Sequence, residues 1–458
     1  MEVTPTTSDD RGFRAFEEGS GSRARGERGS ARQHSNFGSA TRLLSILVVG
    51  LLVALVPVRG QAVFTADAPP TVPVEVVPVI ELIGGLVRLI PPEEQGPSGH
   101  WGTVGVTDYQ RALAEWLSPH KDHPAVDACV SLMTRGMGED LLVWFACHLG
   151  PLPDLTPAGN LEPDLASFLD LLGIAATDLE DFRQQLAEFA AEVDFAQFIA
   201  QWEPKFVLWV DQFRNDCDID ACAQWVRGLV SDREVVPRLV LAPSMTPGGG
   251  YGPWYEDEQA RKVLVAVIRE SGLGQQEPVF VIRRQGLMRV EEVLIHEWCH
   301  PLVNPVTSLD LDQIQRLGRF YKGDVPPPYT KELLVTMWVH EQVLRGISAA
   351  ATGSLYGQAA GQESVRISTN QGFPFTGLTS TRVAQYLSGK TAQADFAKFT
   401  SGLVKTYAFQ AIVPAILIGA FLSVAVGGGT WYLVHLRRRK AQAVAASPTE
   451  PPAAPPPS

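Results

Sequence analysis

No two cysteines in this chain are spaced C-x-x-C, and its 458 residues hold only five in all, which argues against a structural zinc knuckle. Basic charge is also short. The net charge is −12 although both termini are slightly basic, with seven Arg against six acids in residues 1–42 and four cations against Glu450 in residues 437–458. The body between them is therefore strongly acidic, which argues against nucleic acid or anionic lipid as the main partner. Charged residues make up 19% and hydrophobic ones 45%. That is too apolar for a disordered protein and too mixed for a polytopic membrane protein. There is no internal repeat. Cys217 and Cys222 flank a short acidic loop and would close a small disulfide in an exported domain, as would Cys129 with Cys147. The alternative is that all five cysteines are reduced, small hydrophobic side chains.

Two uncharged runs organise the chain. Residues 1–42, rich in Ser, Gly and Arg, read as a disordered tail. Residues 43–62 read as a signal peptide or signal anchor: Leu43–Val58 is an apolar run of 16 residues led by Arg42, and Gly60-Gln61-Ala62 offers small residues for cleavage. Ala408–Val434 has 27 residues without a charge and is followed by Arg437-Arg438-Arg439-Lys440. At about 1.5 Å per helical residue it is long enough to cross a hydrocarbon core of about 30 Å, and the basic cluster places residues 435–458, a Pro-rich tail, in the cytoplasm. The region between is then outside the membrane, with no predicted nucleic-acid contact and an oligomeric state that the sequence leaves open.

That outside region begins with a Pro/Val-rich linker, residues 63–78. Helical periodicity follows over 79–89, 107–118, 125–148 and 163–230, giving a helical N-terminal part over 79–235. Short β-rich runs at Arg238–Ala242, Lys262–Ile268 and Val279–Arg283 then precede a helix from Arg289. Helices first, then a small sheet, then helices again predict an α+β fold whose sheet is mostly antiparallel.

Residues 236–405 hold the chemistry. His296-Glu297-Trp298-Cys299-His300 places two imidazoles four residues apart, hence on one face of a helix and one turn apart. There they can occupy two corners of a zinc tetrahedron, while Glu297 reaches a water in the open position as general base. This is the HExxH arrangement of zinc peptidases. The competing reading is a buried helix whose histidines pair with carboxylates. The helix should end by Asn304-Pro305, because the residue before proline avoids helical geometry. Val303 and Val306 stand where the longer HExxHxxGxxH pattern needs Gly and His, so the third ligand must come from elsewhere. Glu332, near the start of a later helix, is the expected third ligand, with Asp324, His340 and Glu341 as fallbacks; Tyr321, Tyr329 and His340 are candidate transition-state donors. The segment Thr246–Pro253 is Gly-rich but lacks the Lys-Ser/Thr ending of a phosphate loop, so no nucleotide site is expected. It either shapes a groove beside a sheet edge that pairs with extended substrate or is a plain hairpin connection.

The block His296-Glu297-Trp298-Cys299-His300-Pro301-Leu302-Val303-Asn304-Pro305 resembles the HE-F-x-H-x-F-V-N-P block of an uncharacterised bacterial domain-of-unknown-function family regarded as zinc metallopeptidases. Val79–Ile83, His123–Val126, Gly249–Gly252 and Glu332–Val335 resemble further blocks of that family, over roughly residues 75–390, with Thr336 standing where Arg is usual. The resemblance implies a zincin-like domain with one catalytic Zn2+, His296, His300 and Glu332 as ligands and Glu297 as base. The expected function is a membrane-anchored zinc metallopeptidase acting on a peptide or protein substrate. The alternative is an inactive zincin scaffold used as an envelope sensor or binding module.

Overall fold

In the computed structural model, residues 71–91, 107–157, 161–230, 235–271, 276–280, 289–307, 311–318, 321, 323, 330–389 and 395–410 are described. The chain divides into two units, Met1–Val404 and Lys405–Ser458. Of the second, residues 405–410 are helical. The leader at 43–62 lies outside the described residues, as does the apolar run 408–434 beyond Gln410. Among the described residues no helix is long and apolar enough to cross a membrane.

The first unit is α+β and mostly helical. After the short strand β1 (Val74–Glu75) come α1 (Pro78–Leu89), α2 (Asp108–Leu117), α3 (Pro124–Thr134), α4 (Glu139–Ala146), α5 (Pro163–Leu171), α6 (Ala176–Glu192), α7 (Phe195–Asp216) and α8 (Ile219–Val230). Local chemistry sets several starts. Thr107 and Gln110 exchange both bonds of a capping box ahead of α2. At α3, His123 Nδ1 accepts the Ala125 amide while Pro124 opens the helix. The pattern over 125–148 is two helices rather than one, because Gly136 takes a positive φ of 100° between them.

The sheet follows: β2 (Val235–Ala242), β3 (Gly250–Tyr251), β4 (Trp254–Glu256) and β5 (Lys262–Arg269), in the order β1-β2-β5-β3, with β4 also on β5. It is mixed, which corrects the antiparallel expectation. β2 and β5 run parallel over their full length, from Val235 opposite Lys262 to Ala242 opposite Arg269, and only β3 and β4 oppose β5. The reason is burial: Val263 to Ile268 of β5 are all buried, and a strand covered on both faces reads as an unbroken apolar run. Val279 and Phe280 are not in a strand, and residues 281–283 lie outside the described set.

Next come α9 (Val290–Thr307), α10 (Leu311–Leu317), α11 (Lys331–Tyr356), α12 (Gln358–Asn370) and α13 (Thr376–Leu387). Helix α9 buries Leu294, Ile295, Trp298, Cys299 and Val303 completely, and the Trp298 indole donates to the Arg238 carbonyl of β2 at 2.9 Å. It runs through Pro301 and Pro305 instead of stopping at Asn304. A proline removes the donor to the carbonyl four residues earlier. The carbonyl that Pro305 leaves free, that of Pro301, accepts from Lys262 Nζ at 2.8 Å, so a tertiary bond replaces the lost helical one. All five cysteines are free thiols, and Cys129, Cys147, Cys217, Cys222 and Cys299 sit as small hydrophobic groups, four of them buried.

The loop after β2 is held by buried polar side chains. The Ser244 amide donates to Glu81 of α1 at 3.0 Å, Arg88 Nε to the Ser244 carbonyl at 2.8 Å, and Gln110 to the Pro243 carbonyl at 2.8 Å. Further on, the Thr246 amide and the Tyr251 hydroxyl both donate to Glu139 of α4, and Arg269 donates to the Tyr251 hydroxyl. The loop is thereby pressed onto α9. A Cβ on Gly252 would lie 2.2 Å from the Glu297 carbonyl oxygen, and one on Gly250 would lie 2.9 Å from Glu297 Cγ.

Two expectations follow. Gly252→Ala should lower stability by about 1–3 kcal/mol, since the clash is with backbone and one element must shift. An unchanged urea midpoint would show that the loop does not seat there. Burial raises Glu81 to about 8 from the ordinary 4.5, so its contribution to stability is full below the unfolded value and is lost as pH rises through the folded one. Wild-type stability should therefore fall between about pH 5 and about pH 9 more steeply than that of Glu81→Gln. Parallel curves would remove Glu81 from that account.

Candidate metal centre

Helices α9 and α11 pack side by side and share one cluster of charges. His296 and His300 lie a turn apart on α9, their rings 4.9 Å apart and nearly perpendicular. Glu341 enters from α11. Its Oε1 lies 3.4 Å from His296 Nε2 and 3.7 Å from His300 Nε2. Glu297 Oε2 lies 3.7 Å from His300 Nε2, and one ligand atom from each of His296, Glu297 and His300 fits within 4.8 Å. The His296 and Glu297 side chains are 9% and 8% exposed, those of His300 and Glu341 22% and 20%, so the cluster is sunken but reachable.

Burial and pairing set the charge state. Burial pulls His296 down, but the Glu341 and Glu297 carboxylates outweigh it and raise its pKa above the ordinary value. Burial draws His300 down to about 4, helped by the charge on His296, and draws His340 down to about 3. Burial would raise Glu341, yet His296, Arg345 and His300 hold it well below the usual carboxylate range. Glu297 is pushed up to about 7, by burial first. The Glu341 and Glu297 carboxyl groups thus favour a proton on His296. A divalent cation would displace that proton.

The donor set fits zinc. Bonds of about 2.0–2.1 Å in a tetrahedron put ligand atoms roughly 3.3 Å apart, close to the 3.4 and 3.7 Å from Glu341 Oε1 to the two imidazole nitrogens. Two carboxylates compete for the third position, and Glu341 suits it better because the same oxygen approaches both histidines and is held ionised. Behind His300, the Asn304 side-chain amide lies 3.2–3.4 Å from Nδ1. With its oxygen toward the ring it accepts the Nδ1 proton and leaves the Nε2 lone pair for a metal.

Of the residues expected from sequence, the structure brings His296, Glu297 and His300 together and leaves Glu332 out. Glu332 is exposed at the start of α11. It precedes Glu341 by nine residues, which is about 2.5 turns and therefore the opposite side of the helix, roughly 13 Å away along its axis. His340 is buried beside the cluster and interacts electrostatically with His300 and Glu341. Tyr321 is half-buried, while Asp324 and Tyr329 lie outside the described residues. Sequence reasoning missed Arg345, whose Nε donates to Glu341 Oε2 at 3.3 Å. The signal was there as an i, i+4 Glu–Arg pair.

The architecture and site define an α+β domain with a buried two-histidine helix faced by a carboxylate from a second helix. Residues 160–405 match the family described as a domain of unknown function, DUF4932; this is more than half of the chain, and the chain belongs to that family. No curated protein and no solved structure matches it.

If the cluster is the metal centre, Glu341→Ala should weaken zinc binding by more than the roughly 10–100-fold typical of a change behind a ligand, and Glu332→Ala should leave it unchanged. Competition with a chromogenic chelator reads both. Loss with Glu332→Ala alone would return the third ligand to the start of α11.

Proposed function

We propose that this protein is a zinc-dependent peptidase with His296, His300 and Glu341 as ligands and Glu297 as general base. The observation that carries the reading is the approach of Glu341 Oε1 to the Nε2 atoms of both histidines, at 3.4 and 3.7 Å. When bound, zinc would polarise a substrate carbonyl and make a water nucleophilic near neutral pH. Glu297, adjacent in sequence to the first ligand, accepts the proton of the attacking water and passes it to the leaving amine. Its position suits that role, since it is buried beside both histidines, with Oε2 3.7 Å from His300 Nε2.

The substrate side of the reading rests on β3. It is an edge strand, pairs only with β5 among the described strands, and its Gly250 abuts Glu297. An extended peptide adding to such an edge would gain main-chain hydrogen bonds with little demand on its sequence. Placement outside the cytoplasmic membrane rests on sequence alone: 27 uncharged residues from Ala408 to Val434, then four cations.

Glu297→Gln should keep one bound zinc and lose peptidase activity by about 10²–10⁴-fold, because proton transfer goes while the ligands stay. The readout is turnover of a peptide library by the full chain, with and without chelator. Wild-type protein that binds zinc yet cleaves nothing in the library would favour an inactive binding scaffold.

A further inference from the structure

Arg345 has no part in the ligand set, yet it forms an ion pair with Glu341 from one turn further along α11. Its side chain is 13% exposed. Nε donates to Glu341 Oε2 at 3.3 Å, Nη1 donates to Gln371 Oε1, and the guanidinium lies 4.0 Å over the Phe373 ring. Gln371 and Phe373 belong to the turn between α12 and α13, where Gly372 adopts a φ of 93°. That turn is itself fastened to α11: the Trp338 indole donates to the Gly372 carbonyl at 3.3 Å, and the Phe375 amide to Gln342 Oε1 at 2.9 Å. The guanidinium is therefore held on three sides, by a carboxylate, an amide oxygen and an aromatic face.

We propose that Arg345 is the positioning residue of the candidate metal centre: by holding Glu341 through Oε2, it presents Oε1 to His296 and His300. This rests on the zinc reading above and deepens it. A glutamate on a helix has three rotatable bonds, and a free Glu341 would spread over rotamers that do not face α9. The planar fork of Arg345 is pre-organised by its stack on Phe373 and its bond to Gln371, so little further ordering is needed to grip the carboxylate. The grip uses one oxygen and leaves the other for the histidines. Arg345 also places a positive charge near the metal position, which by itself opposes binding of a dication. Orientation and repulsion thus predict opposite signs for its removal.

The test uses the full chain, zinc or cobalt(II) alone, and a competing chelator. Arg345→Met should weaken metal binding by about 10–100-fold, the usual range for a group behind a ligand, and should alter the visible cobalt spectrum. Arg345→Lys keeps the charge but not the fork, and should fall between Met and wild type; it carries the test if the Met variant does not fold. In a Glu341→Ala background, Arg345→Met should cost nothing further, because the effect acts through Glu341. A loss of affinity that persists in that background would make Arg345 merely structural and overturn the proposal. Unchanged or tighter binding in both single variants would overturn it and leave the zinc reading standing. A wild-type chain that binds no metal would overturn both.

Discussion

Burying several ionisable side chains between two helices is tolerated only if their charges answer one another, and the first unit is organised around that constraint at α9 and α11. Two imidazoles, the carboxylates of Glu297 and Glu341 and the guanidinium of Arg345 lie within one cluster, most of it withdrawn from water. Removing His296 or Arg345 would take a charge partner from Glu341, which is destabilising. Charge pairing thus ties α9 to α11, and the groups that do so are the same ones proposed above to hold a metal.

The sheet and the N-terminal helices serve this arrangement from the other side. Trp298 fastens α9 to β2, and Lys262 of β5 replaces the helical bond that Pro305 removes. The loop from Pro243 to Gly252 is fixed by Glu81, Arg88 and Gln110 at one end and by Glu139 at the other. Its glycines then meet Glu297 and His300 at distances no side chain would allow. The Gly-rich segment is accordingly a packed surface over the motif helix rather than a slack connection.

The same geometry explains why the carboxylate near the start of α11 is not the one that faces the histidines. Position relative to a helix start favours acids for dipole reasons alone, and Glu332 satisfies that preference from an exposed site. Facing the histidines of the neighbouring helix requires the right angle about the helix axis and the right height along it. Glu341 meets both and pairs with Arg345 one turn later.

The residues by themselves determined the spacing of His296 and His300 and the carboxylate next to His296, because one helical turn is a local property. They also marked the main helical stretches, through apolar periodicity, and the α+β order of elements. Three matters were decided only by tertiary structure. The parallel pairing of β2 with β5 depends on both faces being covered, although the unbroken apolar run Val263–Ile268 was a legible hint of it. The passage of α9 through Pro305 depends on a lysine some forty residues earlier in the chain meeting an orphaned carbonyl. That Glu341 and not Glu332 faces the histidines depends on how α11 is rotated against α9, and that rotation is set by packing across its whole length, which no local pattern records.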